Sequence, residues 1–209
     1  MVENKIDFDE IIHKPFENEV IEYGIIKGNN TVFFTKAGAN GSMRGYENKY
    51  LAMGLNLHKK LGCTVVCSSN PNPFATEESI GQGMEVIEQY VKEPYRVYYF
   101  GHSNGAVMGA RNAWKYPQIK RLVLVNGPLM INWHKTREGT AKFKGERMVY
   151  VYGEDDPSFK FAGLVNIVGN PAVSLITVPK ADHNFYGMLD EFENLPEYLL
   201  DERDHNEEK

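Results

Sequence analysis

Cysteine is nearly absent: 209 residues hold two, Cys63 and Cys67. Both fall in or beside an extended-looking run, GCTVVCSS, and four residues of strand span roughly 13 Å, beyond disulfide reach. They read as two buried reduced thiols, and a zinc site would want more Cys or His close by. Long hydrophobic runs are missing too. No stretch approaches the ~18 apolar residues a membrane span needs, and the opening MVENKIDFDE is acidic and lacks the apolar stretch of a signal peptide. The expectation is a cytoplasmic chain with no membrane partner. Positive charge is not in excess, with 23 Lys and Arg against 28 Asp and Glu and a formal charge of −5. No broad basic surface is on offer for nucleic acid. Repeats and low-complexity linkers are absent, and residues 1–209 read as one domain of ordinary hydrophobic content. The charged tail DERDHNEEK (201–209) is expected to fray and is given no role.

Short apolar runs rich in Val, Ile, Tyr and Phe recur at 20–26, 31–36, 63–68, 96–100, 121–125, 147–152 and 173–178. Most are continuously hydrophobic rather than alternating, the pattern of strands covered on both faces. Helix-spaced apolar positions fill 46–61 and 77–92, and further helices are read at 104–116, 158–168 and 188–201. Strand and helix in alternation argue for an α/β fold with a mainly parallel sheet and helices on both faces, VIEYGII being placed as an antiparallel member at one edge. Ligands then belong at the carboxyl ends of the strands. A nucleotide-binding doubly wound fold is disfavoured, because Lys27-Gly28-Asn29-Asn30 lacks G-x-G-x-x-G.

Residues 96–114, RVYYFGHSNGAVMGARNAW, place Gly101-His102-Ser103-Asn104-Gly105 between a β-prone and a helix-prone run. A chance G-x-S-x-G in such a chain is a roughly one-in-twenty event, so the strand before it and the helix after it carry the signal. A serine on that sharp turn holds its Oγ above the sheet at a helix N-terminus, where N–H groups and the macrodipole favour developing negative charge. Its hydroxyl is a poor nucleophile until a base takes the proton and a third group orients the base. Carboxylates and a histidine follow later strands, in Gly153-Glu154-Asp155-Asp156-Pro157 and Pro179-Lys180-Ala181-Asp182-His183-Asn184-Phe185.

Strand, G-x-S-x-G, helix, then G-x-x-D-P, then D-H-N-F after the last strand, resembles an α/β-hydrolase over residues ~20–200, in the order Ser, acid, His. The resemblance implies Ser103 as nucleophile, Asp156 as acid and His183 as base. Asp155 is the rival acid; Glu154 and Asp155 otherwise read as solvated loop carboxylates. Of the other histidines, His13 precedes the core sheet and His58 lies on a helix before the serine. His102 packs in the turn, His134 sits in the loop after RLVLV at the border of the site, and His205 is in the tail. The resemblance also implies an oxyanion hole of two backbone donors: Asn104 N–H and one from Ala37-Gly38-Ala39-Asn40-Gly41. Ala39 is the choice and Gly38 the runner-up, since the usual His-Gly is replaced here by Ala37-Gly38; a plain tight turn is the bland reading of that loop.

Many members of that family carry a helical lid after the strand reading RLVLV, whereas here 126–146 leaves room for a small flap. Leu129, Met130, Ile131 and Trp133 offer an apolar acyl wall opposite Pro71, Pro73 and Phe74, although Met and aromatic clusters of this kind are more often core than pocket. A site with minimal or no lid implies small or accessible acyl groups. The expectation is a serine hydrolase of the esterase or thioesterase kind, acting through an acyl-enzyme on a small-molecule acyl substrate without a cofactor. The alternative is a non-catalytic protein that binds a small molecule or a partner in the same cleft.

Overall fold

The computed structural model describes residues 7–71 and 78–200. Its centre is an eight-stranded sheet of β1 (Glu10–Phe16), β2 (Glu19–Ile26), β3 (Asn29–Lys36), β4 (Cys63–Ser68), β5 (Arg96–His102), β6 (Ile119–Val125), β7 (Arg147–Gly153) and β8 (Val173–Val178), in the order 1-2-4-3-5-6-7-8. β2 runs antiparallel to β1 and β4, and the pairs from β4 to β8 are parallel. VIEYGII is therefore antiparallel as expected, but β1 holds the edge outside it. EIIHKPF carries charge and a proline and alternates in exposure, as suits an edge strand, and His13 lies on it rather than before the sheet.

The helices are α1 (Lys49–Leu61), α2 (Glu78–Ile87), α3 (Asn104–Asn112), α4 (Trp133–Lys142) and α5 (Leu189–Asn194), with 3-10 turns at Tyr46–Asn48, Ala113–Lys115, Phe159–Ile167 and Leu195–Leu199. Two apolar cores result, one on each face of the sheet. Phe34, Tyr99, Leu122, Leu124 and Tyr150 pack with α3 and its neighbours; Phe33, Phe100, Val123 and Val149 pack with α1 and α5. β4 is buried at every position and β5 and β7 at all but their first, which is why their sequences read as unbroken apolar runs.

The segment expected as a flap, 126–146, instead carries α4 as an ordinary crossover helix against α3. Arg111 Nε donates to Thr136 Oγ1 at 3.1 Å, and a Cβ on Gly139 would lie 2.4 Å from the Ala110 carbonyl oxygen. WHKTREGTAK buries only Thr136, Gly139 and Thr140, so no apolar stripe announced it. Of the cluster weighed between core and acyl wall, Leu129 is core at 1% exposure and Trp133 is half-buried against the core, while Met130 and Ile131 are exposed. Pro71 is half-buried; Pro73, Phe74 and the tail 201–209 lie outside the described residues. Cys63 and Cys67 are free and buried, their thiols pushed up to about 12 by desolvation.

β3 marks the switch point of the sheet: the chain leaves it toward β4 on one side, and the next parallel strand, β5, lies on the other. A crevice opens there at the strand carboxyl ends. Its geometry rests on two glycines at close approach. A Cβ at Gly105 would sit 2.2 Å from the Lys36 carbonyl oxygen, and one at Gly101 2.5 Å from the Gly105 carbonyl oxygen, so α3 starts tight against the ends of β3 and β5. Gly105→Ala is expected to lower the thermal midpoint of unfolding, by a loss of about 1–3 kcal/mol as overpacking against rigid backbone costs elsewhere. A midpoint equal to that of the unaltered protein would show that this approach is not a constraint.

Candidate active site

Ser103 sits between β5 and α3 at φ 53° and ψ −115°, a strained conformation for a non-glycine residue. Both ends of that residue are tied down: its N–H donates to the Val125 carbonyl at 2.8 Å, and its carbonyl accepts from Ala106 and Val107. The side chain is thereby aimed at the loop that follows β8. There, His183 Nε2 lies 3.0 Å from Ser103 Oγ, and His183 Nδ1 is in short contact with Asp156 Oδ2.

Asp156 and Asp155 part company at this point. Asp156 is 4% exposed, and its Oδ1 accepts from the Ser158 N–H at 2.6 Å; Asp155 is exposed and meets the His loop only through its N–H on the Ala181 carbonyl. Burial works to raise the Asp156 pKa, yet the hydrogen bonds from His183 and Ser158 outweigh it and hold the carboxyl below its ordinary value. An ionised Asp156 accepts from Nδ1–H, which leaves Nε2 as an acceptor toward the serine hydroxyl. The structure thus brings Ser103, His183 and Asp156 into one hydrogen-bonded chain. His134 is on the exposed side of α4 rather than in a loop, near Glu138, and is not part of this group. His58 is on α1 as expected and bonds to the Cys63 carbonyl.

Three braces that the sequence did not single out for this work hold the site. Asn126, directly after β6, donates from Nδ2 to the Asp182 and His183 carbonyls at 3.0 and 3.1 Å, while its Oδ1 accepts from Gly153 N–H. It links the ends of β6 and β7 to the His loop. Tyr50 on α1 reaches His102 Nδ1 at 3.1 Å, and His102 Nε2 lies 2.7 Å from the His183 carbonyl oxygen. That carbonyl only accepts, so Nε2 carries the ring hydrogen and Nδ1 accepts from Tyr50. His102 does pack, with its ring 5.3 Å from that of His183 and 5.5 Å from Phe192, and it also tethers the His183 backbone. Desolvation, aided by the charge of Lys49, pushes its pKa down to about 3, so the tether stays neutral and in place at ordinary pH.

The third brace is Asn70, fully buried after β4. Its Nδ2 donates to the Ala37 carbonyl at 3.1 Å and to Asn104 Oδ1 at 2.9 Å, joining the loop after β3 to the start of α3. The loop itself closes as a turn, Gly41 N–H on the Gly38 carbonyl. Gly38 is buried beside Ser103, whereas Ala39 is exposed on the rim. A cavity of about 620 Å³ opens over these parts, lined by residues 38–42 together with Tyr46, Lys49, Ser103, His183 and Asn184.

An oriented hydroxyl, imidazole and carboxylate at the mouth of a cleft, at the switch point of a parallel sheet, form an arrangement able to take a proton from oxygen as that oxygen attacks. The fold is that of the α/β-hydrolases. Est1E from Butyrivibrio proteoclasticus superimposes with a TM-score of 0.73 at 12% identity, over 90% of this chain and 97% of that one. An α/β serine hydrolase homologue from Coxiella burnetii gives 0.67 at 18% identity, over 94% and 100%. An α/β serine hydrolase without a lid from Xanthomonas campestris gives 0.67 at 14%, over 90% and 92%. No family profile and no curated protein sequence matches the chain.

Proposed function

We propose that the protein is a serine hydrolase that cleaves a carboxylic ester or thioester of a small or accessible acyl group. The observation that carries this reading is the continuous chain Ser103 Oγ, His183, Asp156 at the mouth of the cavity. In the first half-reaction Ser103 Oγ bonds to the acyl carbon while its proton passes to His183 Nε2, and the carbonyl becomes a tetrahedral oxyanion. His183 then gives that proton to the departing alcohol or thiol, leaving the acyl-serine. In the second, water attacks the acyl carbon as its proton goes to Nε2, and the proton returns to Ser103 as the acid leaves. Asp156 fixes the Nδ1–H tautomer and stabilises the imidazolium formed at each step.

The oxyanion donors in this reading are Asn104 N–H, at the first position of α3, and Ala39 N–H from the loop after β3. Gly38 N–H is the alternative to Ala39, since a Cβ at Gly38 would lie 3.1 Å from Ser103 Cβ and its backbone passes directly beside the serine. An accessible cleft suits small acyl groups. One neighbour of this fold, Est1E, has been solved with ferulic acid bound, which supports a small-molecule ligand for a cleft of this kind.

Incubation with a fluorophosphonate, followed by digestion and mass spectrometry, is expected to place a single adduct on the peptide containing Ser103. The same preparation is expected to hydrolyse 4-nitrophenyl acetate or butyrate. Absence of both adduct and turnover in folded protein would favour the reading as a binding protein that uses the cleft without chemistry.

A further inference from the structure

Among the described residues that line the cavity beside Ser103 is one formal cation that the proposed acyl-transfer chemistry does not use. Lys49 opens α1, is 2% exposed, and yet lines the cavity. Its Nζ donates to the Asn184 carbonyl at 3.2 Å and rests 4.0 Å from the centroid of the Phe192 ring. Among the described residues no carboxylate comes within ion-pair distance of it, and no Asp or Glu lines the cavity. Asp182 acts on it electrostatically, but its Oδ1 is occupied by the Asn184 and Tyr186 N–H groups.

A buried ammonium without a counter-ion is unfavourable unless something else compensates. Lys36 is the contrast in the same molecule: fully buried away from the cavity, it donates to Ser68 Oγ at 3.0 Å and to the Ser69 carbonyl at 2.8 Å, and desolvation pushes its pKa down to about 7. Lys49 has one such carbonyl and the ring faces of Phe192 and Tyr50, and its side chain lines the cleft. Its field reaches His102, whose ring packs on that of His183, so the charge stands close to the reacting group. Desolvation lowers its own pKa to about 8 against the opposing pull of Asp182, which is the state an incoming anion would relieve.

We propose that Lys49 forms an anion subsite of the cleft and that the preferred substrate is an ester carrying a carboxylate, which pairs with Lys49 Nζ while Ser103 attacks the ester carbonyl. This rests on the hydrolase reading above. The selectivity follows from charge: a carboxylate ester gains an ion pair inside a partly desolvated cleft, and its neutral twin does not. An anion pair formed in both ground and transition states appears mainly in KM.

The test is a matched-pair comparison of kcat/KM. The carboxylate is placed on the acyl side in 4-nitrophenyl hemiglutarate against 4-nitrophenyl valerate, and on the alcohol side in 4-carboxyphenyl butyrate against phenyl butyrate. The protein is expected to favour the anionic member of at least one pair by about 10-fold or more, chiefly through a lower KM. In Lys49→Met that anionic-to-neutral ratio is expected to fall by a similar factor, while Lys49→Arg keeps most of it. Taking the ratio within each variant cancels any general loss from the broken bond to Asn184, so a merely structural Lys49 would leave it unmoved. Equal treatment of both members of both pairs by the unaltered protein overturns the proposal without recourse to any variant. Should no ester be cleaved and no serine labelled, the hydrolase reading fails, and calorimetric titration with glutarate then decides the subsite separately. Binding that is lost in Lys49→Met supports it, and no binding to the unaltered protein overturns it.

Discussion

Ser103→Ala is expected to remove hydrolysis of 4-nitrophenyl acetate and butyrate, with a fall in kcat/KM on the order of 10⁴-fold or more. Among the described residues Ser103 carries the one hydroxyl bonded to His183: Nε2 sits 3.0 Å from Oγ because Asn126, His102 and Asp156 hold it there. The fold should hardly notice. Ser103 is half-exposed, its backbone stays tied to Val125, Ala106 and Val107, and alanine meets the same strain at φ 53° that serine does. Thermal unfolding alongside the kinetics separates the two effects. A folded variant that keeps the parent rate on these esters would move the nucleophile elsewhere.

Asp156→Asn is expected to cut kcat by roughly 10²–10⁴-fold, and Asp155→Asn to do little. An asparagine at 156 retains an oxygen for the Ser158 N–H but turns an amide NH₂ toward His183 Nδ1, favouring the tautomer with the hydrogen on Nε2. That tautomer cannot take the proton of Ser103, and the charge that would stabilise an imidazolium is gone as well. Asp155 holds its carboxylate in solvent and uses only its N–H, on the Ala181 carbonyl, which asparagine preserves. Rates of ester hydrolysis for the two variants, compared at matched protein concentration, make the check. The reverse ranking would place the triad acid at 155.

These aspartates show where local reading of the chain stops. G-x-x-D-P located the turn, yet neighbouring carboxylates differ only in which way the backbone points them, and that is set by the lacing of 153–156 to 178–181. Gly153 there approaches Ala181 so closely that a Cβ would sit 2.2 Å from its carbonyl oxygen. Asn126 gave no local signal either, because the carbonyls it holds are 56 and 57 residues away. Asn70 and Tyr50 likewise find partners more than 30 residues distant, in Ala37, Asn104 and His102. Helix α4 escaped notice for the opposite reason: it meets α3 through Thr136, Gly139 and Thr140, and residues so small leave little apolar periodicity.

The sequence by itself determined seven of the eight strands, their alternation with helices and the turn that carries Ser103. Each of these depends on short-range physics: apolar runs for strands covered on both faces, periodic apolar positions for helices, and small residues where backbone meets backbone. The tertiary structure alone decided which aspartate faces His183, how Asn126 and His102 hold that histidine's carbonyl, and that Lys49 lies buried at the cleft with no carboxylate among the described residues at ion-pair distance. Those outcomes are convergences of groups far apart in the chain, and they exist only once the sheet has brought the carboxyl ends of β3 to β8 to a common edge.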